Sequence, residues 1–321
     1  MVVEHVQAET SGTREHREIN GPWALRSRTW WGALRRTVSE VFDDTLTDWA
    51  AALTYYSVIS LFPGVIVLSA LLGLAGPDTT RSLIDTIDEL GYGGANSAAI
   101  QVLEQLQNSR AAAGPLAIVG IATALWTASG YIGAFVRAAN VVYDTEEGRP
   151  IWKTVPLQLV LTAALVVLVV ICAVGVLVSG RLAEIVGSWL GLGSVTVQVW
   201  GIAKWPVLAI LVSLAVALLY WAAPNARQPG FRWLSPGSVL AVLLWVLASA
   251  GLAFYATNFG SYNKIYGSLA GAVVFLVWLW LTNMAILLGA QLNAELVRGR
   301  NIEQGVSPDQ EPILPPREQP A

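Results

Sequence analysis

Cysteine and histidine are nearly absent from this chain, and charge is thin. One cysteine, Cys172, stands alone among 321 residues, so no intrachain disulfide can form and no cysteine-based metal site can be assembled. The two histidines, His5 and His16, both fall in a polar N-terminal stretch, which takes imidazole out of any buried catalytic or metal-binding role. Charged residues make up 13% of the sequence, against about 25% in a soluble domain. With 55% hydrophobic residues, the balance points away from a soluble fold. The net charge of -3 and pI near 5.5 decide nothing alone, because orientation in a bilayer follows the positions of Lys and Arg rather than their sum.

Other absences narrow the chemistry. The sequence has no phosphate loop, no dinucleotide fingerprint, no His-Glu-x-x-His, no Gly-x-Ser-x-Gly elbow and no His or Asp pair inside an apolar run. ATP-driven transport by this chain alone is therefore disfavoured. No catalytic residue, metal ligand or cofactor is assigned, and the expectation is a protein that is not an enzyme. Fourteen tryptophans sit in or beside apolar runs, which suits the interface belts of a membrane better than stacking on nucleic acid. Residues 1–20 carry Glu4, Glu9, Arg14, Glu15, Arg17 and Glu18 without the apolar core of a signal peptide. They are expected to form a disordered cytoplasmic tail, and so is the Pro/Glu/Gln-rich stretch 298–321.

What the chain does have is a series of long apolar runs. Six spans are expected, at about 50–74, 114–135, 156–180, 201–223, 235–257 and 268–293, each near the roughly 20 residues that cross about 30 Å of hydrocarbon. The fold class is thus an all-α polytopic membrane protein with six transmembrane helices, its membrane domain covering 49–297. An even number of spans puts both termini on one side, and that side collects 14 of the 19 basic residues. The opposite side holds only Arg81, Arg110, Arg181, Lys204 and Lys264, so both termini are expected in the cytoplasm of a multi-pass inner (plasma) membrane protein.

Two segments stand outside the spans. Within 21–48, Trp30, Trp31, Leu34, Val38, Val41 and Phe42 recur at helical spacing beside Arg26, Arg28, Arg35 and Arg36, the pattern of an amphipathic helix lying in the cytoplasmic interface. On the other side, residues 77–113 are too long for a simple connection and hold two amphipathic stretches separated by Gly91-Tyr-Gly-Gly94, which predicts a small extracytoplasmic helical cap.

Polar residues within or beside the spans are the candidate functional groups. Pro63, followed by Gly64, frees a backbone carbonyl in the first span and predicts a kink or an unwound site. Tyr55, Tyr56, Ser60 and Pro63 of the first span, Thr127 of the second, and Asn283 and Gln291 of the last form a candidate substrate path with Asn258, Tyr262 and Tyr266 of the loop feeding the last span. At the cytoplasmic face the candidates are Asp48, Arg137, Asn140 and Glu295. Asp48 also suits the positive end of the first helix, Arg137 suits snorkelling or headgroup contact, and Glu295 suits pairing with Arg298 or Arg300. Asn283 has a second reading, as an interhelical hydrogen-bonding residue.

These residues carry a family resemblance. Asp48-Trp-Ala-Ala-Ala-Leu-Thr-Tyr55-Tyr56-Ser-Val-Ile-Ser60-Leu-Phe-Pro63 resembles the first-helix signature of the YihY/BrkB family of bacterial inner-membrane proteins. Leu219-Tyr-Trp-Ala-Ala-Pro224-Asn225, Ser235-Pro-Gly-Ser, and Asn258 to Gly271 running on to Gln291-Leu-Asn293-Ala-Glu295 are similar to its later signatures, in the family's order. The resemblance covers about 41–297. It implies a six-helix inner-membrane protein with a role in transport or envelope integrity, and a family that has also carried a ribonuclease label. The expected function is non-ATP-driven translocation of a lipid or small amphipathic solute; the alternative is a structural or accessory membrane protein. Membrane lipids are the expected partners and nucleic acid is not; oligomeric state is left open.

Overall fold

A computed structural model describes residues 21–43, 45–75, 113–177, 194–258, 268–308 and 310–319. Among them the chain is helical throughout, apart from short loops and one isolated antiparallel bridge between Ala226 and Pro316. A 3-10 turn at Pro22–Ala24 leads into α1, Ser27–Asp43. Six longer helices follow: α2 Leu46–Ala75, α3 Ala113–Val142, α4 Ile151–Leu177, α5 Ser194–Ala222, α6 Phe231–Asn258 and α7 Ser268–Glu303. Over the described residues α4, α5, α6 and α7 are long and apolar enough to cross a membrane.

Each long helix packs on the next in sequence, and α7 closes the circuit by packing on α2 as well as on α3. The short connections, after α3 and after α5, lie at one end of the bundle together with the start of α2 and the end of α7; this end is called the terminal face below. The fully buried residues gather there, among them Leu46, Leu53, Phe135, Tyr143, Tyr220, Leu234, Leu287 and Leu296. Away from it the helices keep large apolar side chains on their outer surfaces, such as Val169, Val170 and Ile171 on α4 and Leu247 and Phe254 on α6. An apolar surface of that extent is at home in hydrocarbon, not in water.

Several helices run past the span limits expected from hydropathy. α7 is the extreme case: 36 residues make about 54 Å of helix, far more than the roughly 30 Å of a bilayer core. It ends in a Schellman motif, with Val306 N–H donating to Asn301 O and Gly305 N–H to Ile302 O. Gly305 takes the left-handed conformation that this cap requires, at φ 91°. The end of α3 is built the same way, with Thr145 N–H on Asn140 O, Asp144 N–H on Val141 O and Asp144 itself at φ 50°.

One expectation is corrected and two are narrowed. Residues 298–321 do not form a disordered tail in the described part: α7 continues to Glu303, and the segment beyond returns across the terminal face, burying Ile313 and Leu314. Two apolar side chains and a set of backbone hydrogen bonds fix a stretch whose average composition gave no sign of it. Pro63 does not unwind α2, which is helical from Leu46 to Ala75. Glu295 pairs with Arg298, one of the two partners expected for it, and also with Arg36. The expected cap at 77–113 and the tail at 1–20 lie outside the described residues, apart from Ala113.

Helix α1 forms within 21–48 and packs against the last turns of α7. Ala33 and Thr37 are buried on that side, while Trp31, Leu34 and Val38 stay exposed. Its start is held by α7: Glu303 accepts from the Arg26 N–H at 3.1 Å and from the Thr29 hydroxyl, placing a carboxylate at the positive end of the helix.

Candidate functional site

The polar groups of this apolar bundle form tiers along α7. Farthest from the terminal face, Trp278 Nε1 donates to Ser249 Oγ at 2.9 Å, tying α7 to α6. Beside that bond lies an apolar groove of about 300 Å³ between α6 and α7, walled by Leu252, Ala253, Gly271, Val274 and Phe275. It opens sideways.

The next tier holds Asn283, buried at 2% exposure. Its Oδ1 accepts from the Tyr131 hydroxyl at 2.9 Å and its Nδ2 donates to Thr54 Oγ1 at 3.1 Å, so one amide joins α7 to α3 and α2. The second reading of this residue is the one the geometry fits, since an amide in hydrocarbon must find partners. Close by, Tyr56 packs on Gly130, where an added Cβ would stand 3.4 Å from the ring. Thr127 and Ser60 bond to carbonyls of their own helices, Thr123 O and Tyr56 O, with Ser60 also 3.5 Å from Thr127 O. Tyr55 is exposed.

Nearer the terminal face α6 and α7 touch backbone to backbone. A Cβ on Gly237 would lie 2.0 Å from Gly289 O, and one on Gly289 would lie 2.4 Å from Gly237 O. Only glycine fits such an approach. Asn293 secures it, its Oδ1 accepting from Gly237 N–H at 2.8 Å and its Nδ2 donating to Leu234 O at 3.2 Å. Ser235 Oγ donates to Arg232 O, the carbonyl that Pro236 leaves without its helical partner. The Tyr220 hydroxyl donates to Ile286 O at 2.5 Å, adding α5 to the junction. Gln291 is buried beside these groups with its Oε1 unbonded.

At the terminal face two charged networks form. In the first, Glu295, fully buried, takes a charge-assisted hydrogen bond from Arg36 Nε. Arg298 reaches Asp144 at 2.9 Å, Glu295 at 3.5 Å and Glu40 at 3.6 Å. Two guanidiniums and three carboxylates thus bind α1 and the end of α3 to α7. Burial raises the Asp144 carboxyl above its ordinary pKa, and the neighbouring Arg298 only partly offsets that effect.

The second network surrounds Asn140, Arg149 and Asn225. Arg149 makes a forked pair with Glu147, Nε to Oε1 and Nη2 to Oε2 at 2.7 Å each, and donates to Ala223 O. Burial would raise the Glu147 carboxyl, but hydrogen bonds from the side chain and backbone of Arg149 and from Asn140 outweigh it and hold the pKa below the ordinary value. Asn140 Oδ1 accepts from Asn225 N–H at 2.7 Å. Asn225, fully buried, clasps the returning C-terminal segment: its Nδ2 donates to Glu318 O and Glu146 O, and its Oδ1 accepts from Glu318 N–H. Arg317 adds bonds to Trp221 O and Ala226 O and stacks over the Trp221 ring. Burial, and then the nearby charge of Arg149, lower the pKa of this guanidinium. Lys153 pairs with Glu318 at 2.7 Å.

Of the residues singled out from sequence, Asn283 joins α7 to α2 and α3, Ser60 and Thr127 meet about one to two turns further from the terminal face, and Asn140 and Glu295 each enter a charged network. Asp48 and Arg137 are exposed. Tyr262 and Tyr266 lie outside the described residues, as do the side chains of Pro63 and Asn258. Sequence reasoning did not single out Asn225, Asn293, Arg36, Gly237 or Gly289 as site residues. Asn225, Asn293 and Gly237 stand inside the quoted signature stretches, a signal pointing to those positions without saying what they touch.

A bundle bearing several bilayer-length apolar helices, joined by buried hydrogen bonds between helices, defines a membrane-embedded helical protein. The chain belongs to the virulence factor BrkB family, whose family model matches residues 37–313. Among its relatives, the ribonuclease-like protein YfkH of Bacillus subtilis is 29% identical over 263 residues, 82% of this chain and 92% of YfkH. A UPF0761 membrane protein of Chromohalobacter salexigens is 30% identical over 286 residues, 87% of this chain and 67% of its own length. Another, from Alkalilimnicola ehrlichii, is 27% identical over 77% of this chain, and the match spans 54% of that longer protein. No solved structure matches the chain.

Proposed function

We propose that this protein is a non-ATP-driven translocator of a lipid or small amphipathic solute, held in the structure with its terminal face closed. It acts without catalysis, spans the inner membrane six times and keeps both termini in the cytoplasm. Helix α1 lies in the cytoplasmic headgroup layer, its exposed Trp31, Leu34 and Val38 turned toward lipid. The observation that carries the reading is the unequal packing of the bundle: one end is bound by two charged networks, while the far half parts into a lateral apolar groove between α6 and α7. A groove opening sideways admits an acyl chain from the bilayer without water crossing, which suits an amphipathic cargo better than an ion. Were the protein only structural, the far half would have no need of such a groove.

Reconstitution into liposomes with a panel of fluorescent lipids and amphipathic solutes tests this. Gly271 lines the groove and has open space where a Cβ would project, so Gly271→Phe places a bulky ring at the groove. Protein-dependent exchange is expected for the wild type, with a drop of roughly tenfold or more in Gly271→Phe. No exchange above empty liposomes for any member of the panel leaves the structural role as the better account. Orientation is tested separately, by cysteine labelling in a Cys172→Ser background. A cysteine placed at Gly94 should react with a membrane-impermeant reagent from outside, and one placed at Glu146 should not; the reverse pattern inverts the topology.

A further inference from the structure

The returning C-terminal segment does more than cover the terminal face. Together with the end of α7 and the loop before α6 it lines an open cleft of about 780 Å³, within the roughly 300–1,000 Å³ typical of small-molecule sites. Arg227 and Arg300 both line it, with Gln304 and Gln310, and there is no carboxylate among the described lining residues. Among the described residues neither guanidinium forms an ion pair, unlike Arg36, Arg149 and Arg298. Arg300 stacks 5.4 Å from the ring centre of Trp233, and its Nε is buried without an acceptor. Arg227 engages the segment through its backbone alone, N–H to Pro315 O, which leaves its side chain uncommitted.

Two uncompensated cations sharing one cavity repel each other and lower the stability of the empty state. A buried guanidinium donor without an acceptor adds to that cost. Both terms reverse when an anion enters. A phosphomonoester, close to doubly charged at neutral pH, matches two guanidiniums, while the proline and isoleucine walls suit an uncharged organic body. We infer that this cavity is a binding site for a phosphomonoester, lined by Arg227 and Arg300 and completed by the C-terminal segment. The same chemistry occurs in a water-soluble phosphate ester and in a phosphatidic acid headgroup. The site does not depend on whether the bundle translocates anything.

The full-length protein in phosphatidylcholine nanodiscs distinguishes these sources. Trp233 lies under Arg300 and serves as the reporter, its signal isolated by subtracting a Trp233→Phe sample. One arm titrates glycerol 3-phosphate at constant ionic strength, and the other replaces phosphatidylcholine stepwise with phosphatidic acid. A saturable change in one arm is expected, and the arm that responds identifies the source. Arg300→Gln and Arg227→Gln should each weaken the response roughly tenfold or more, while Arg232→Gln, an exposed arginine outside the cavity, leaves it unchanged. Arg227 is exposed and its side chain holds nothing in place, so loss of folding does not confuse that variant. A flat response in both arms overturns the assignment, and so does an Arg227→Gln protein that responds like the wild type.

Discussion

Gly289→Val is expected to abolish recovery of monodisperse protein from the membrane, whereas Gly251→Val is tolerated. Both glycines lie in long apolar helices, and hydropathy does not separate them. Their surroundings do: a Cβ on Gly251 meets nothing within 4 Å, while one on Gly289 would stand 2.4 Å from both Gly237 O and the Tyr220 hydroxyl. The neighbour is backbone, which cannot rotate away, so α6 and α7 must part and the bonds of Asn293 to Gly237 and Leu234 are lost with the contact. Overpacking a filled core ordinarily costs about 1–3 kcal/mol, and broken interhelical hydrogen bonds add about 1 kcal/mol each. Gly289→Ala should therefore already lower the thermal midpoint measurably by fluorescence size-exclusion, with Gly251→Ala as reference. Equal midpoints for the two alanine variants would show that the helices are free to separate there.

The second large effect concerns Glu295. Replacing it by leucine leaves Arg36 without its carboxylate partner and Arg298 with only Asp144 and Glu40. Breaking a buried pair by removing one partner costs about 3–5 kcal/mol; Arg36 is partly open to solvent, with 32% of its side chain exposed, so the lower end applies. Adding Arg36→Met to Glu295→Leu should recover part of the loss, because both charges are then gone and an apolar pair fills the site. A double variant less stable than Glu295→Leu alone would mean that Arg36 stabilises the face through other contacts. Helix α1 reports the same event independently: it should become protease-sensitive in Glu295→Leu and regain protection in the double variant.

Much of the architecture was legible in the sequence because a bilayer imposes a length. The apolar runs later seen as α4, α5, α6 and α7 announce themselves by hydropathy alone, and α1 by the recurrence of Trp30, Leu34, Val38 and Val41. The polar contacts were legible only in part. Asn283 is an amide in an apolar run, which demands a partner, but nothing local says that Tyr131 and Thr54 supply it. Gly237 and Gly289 are ordinary helix glycines until the two helices are crossed. The C-terminal segment was misread for a related reason: composition averages over a window, whereas docking rests on Ile313, Leu314 and the backbone of Glu318 meeting Asn225, more than ninety residues earlier. Glu295 drew attention as a charge near a helix end, yet its main partner lies 259 positions away.

The clasp of Asn225 on Glu318 also sets an order of assembly. The contacts among α1–α7 join parts of the chain made before the C-terminal segment, so these can form first. The clasp cannot, since Glu318 follows every described helix in the chain. A chain lacking residues 306–319 would therefore keep every described helix but leave the Asn225 amide without its bonds to Glu318.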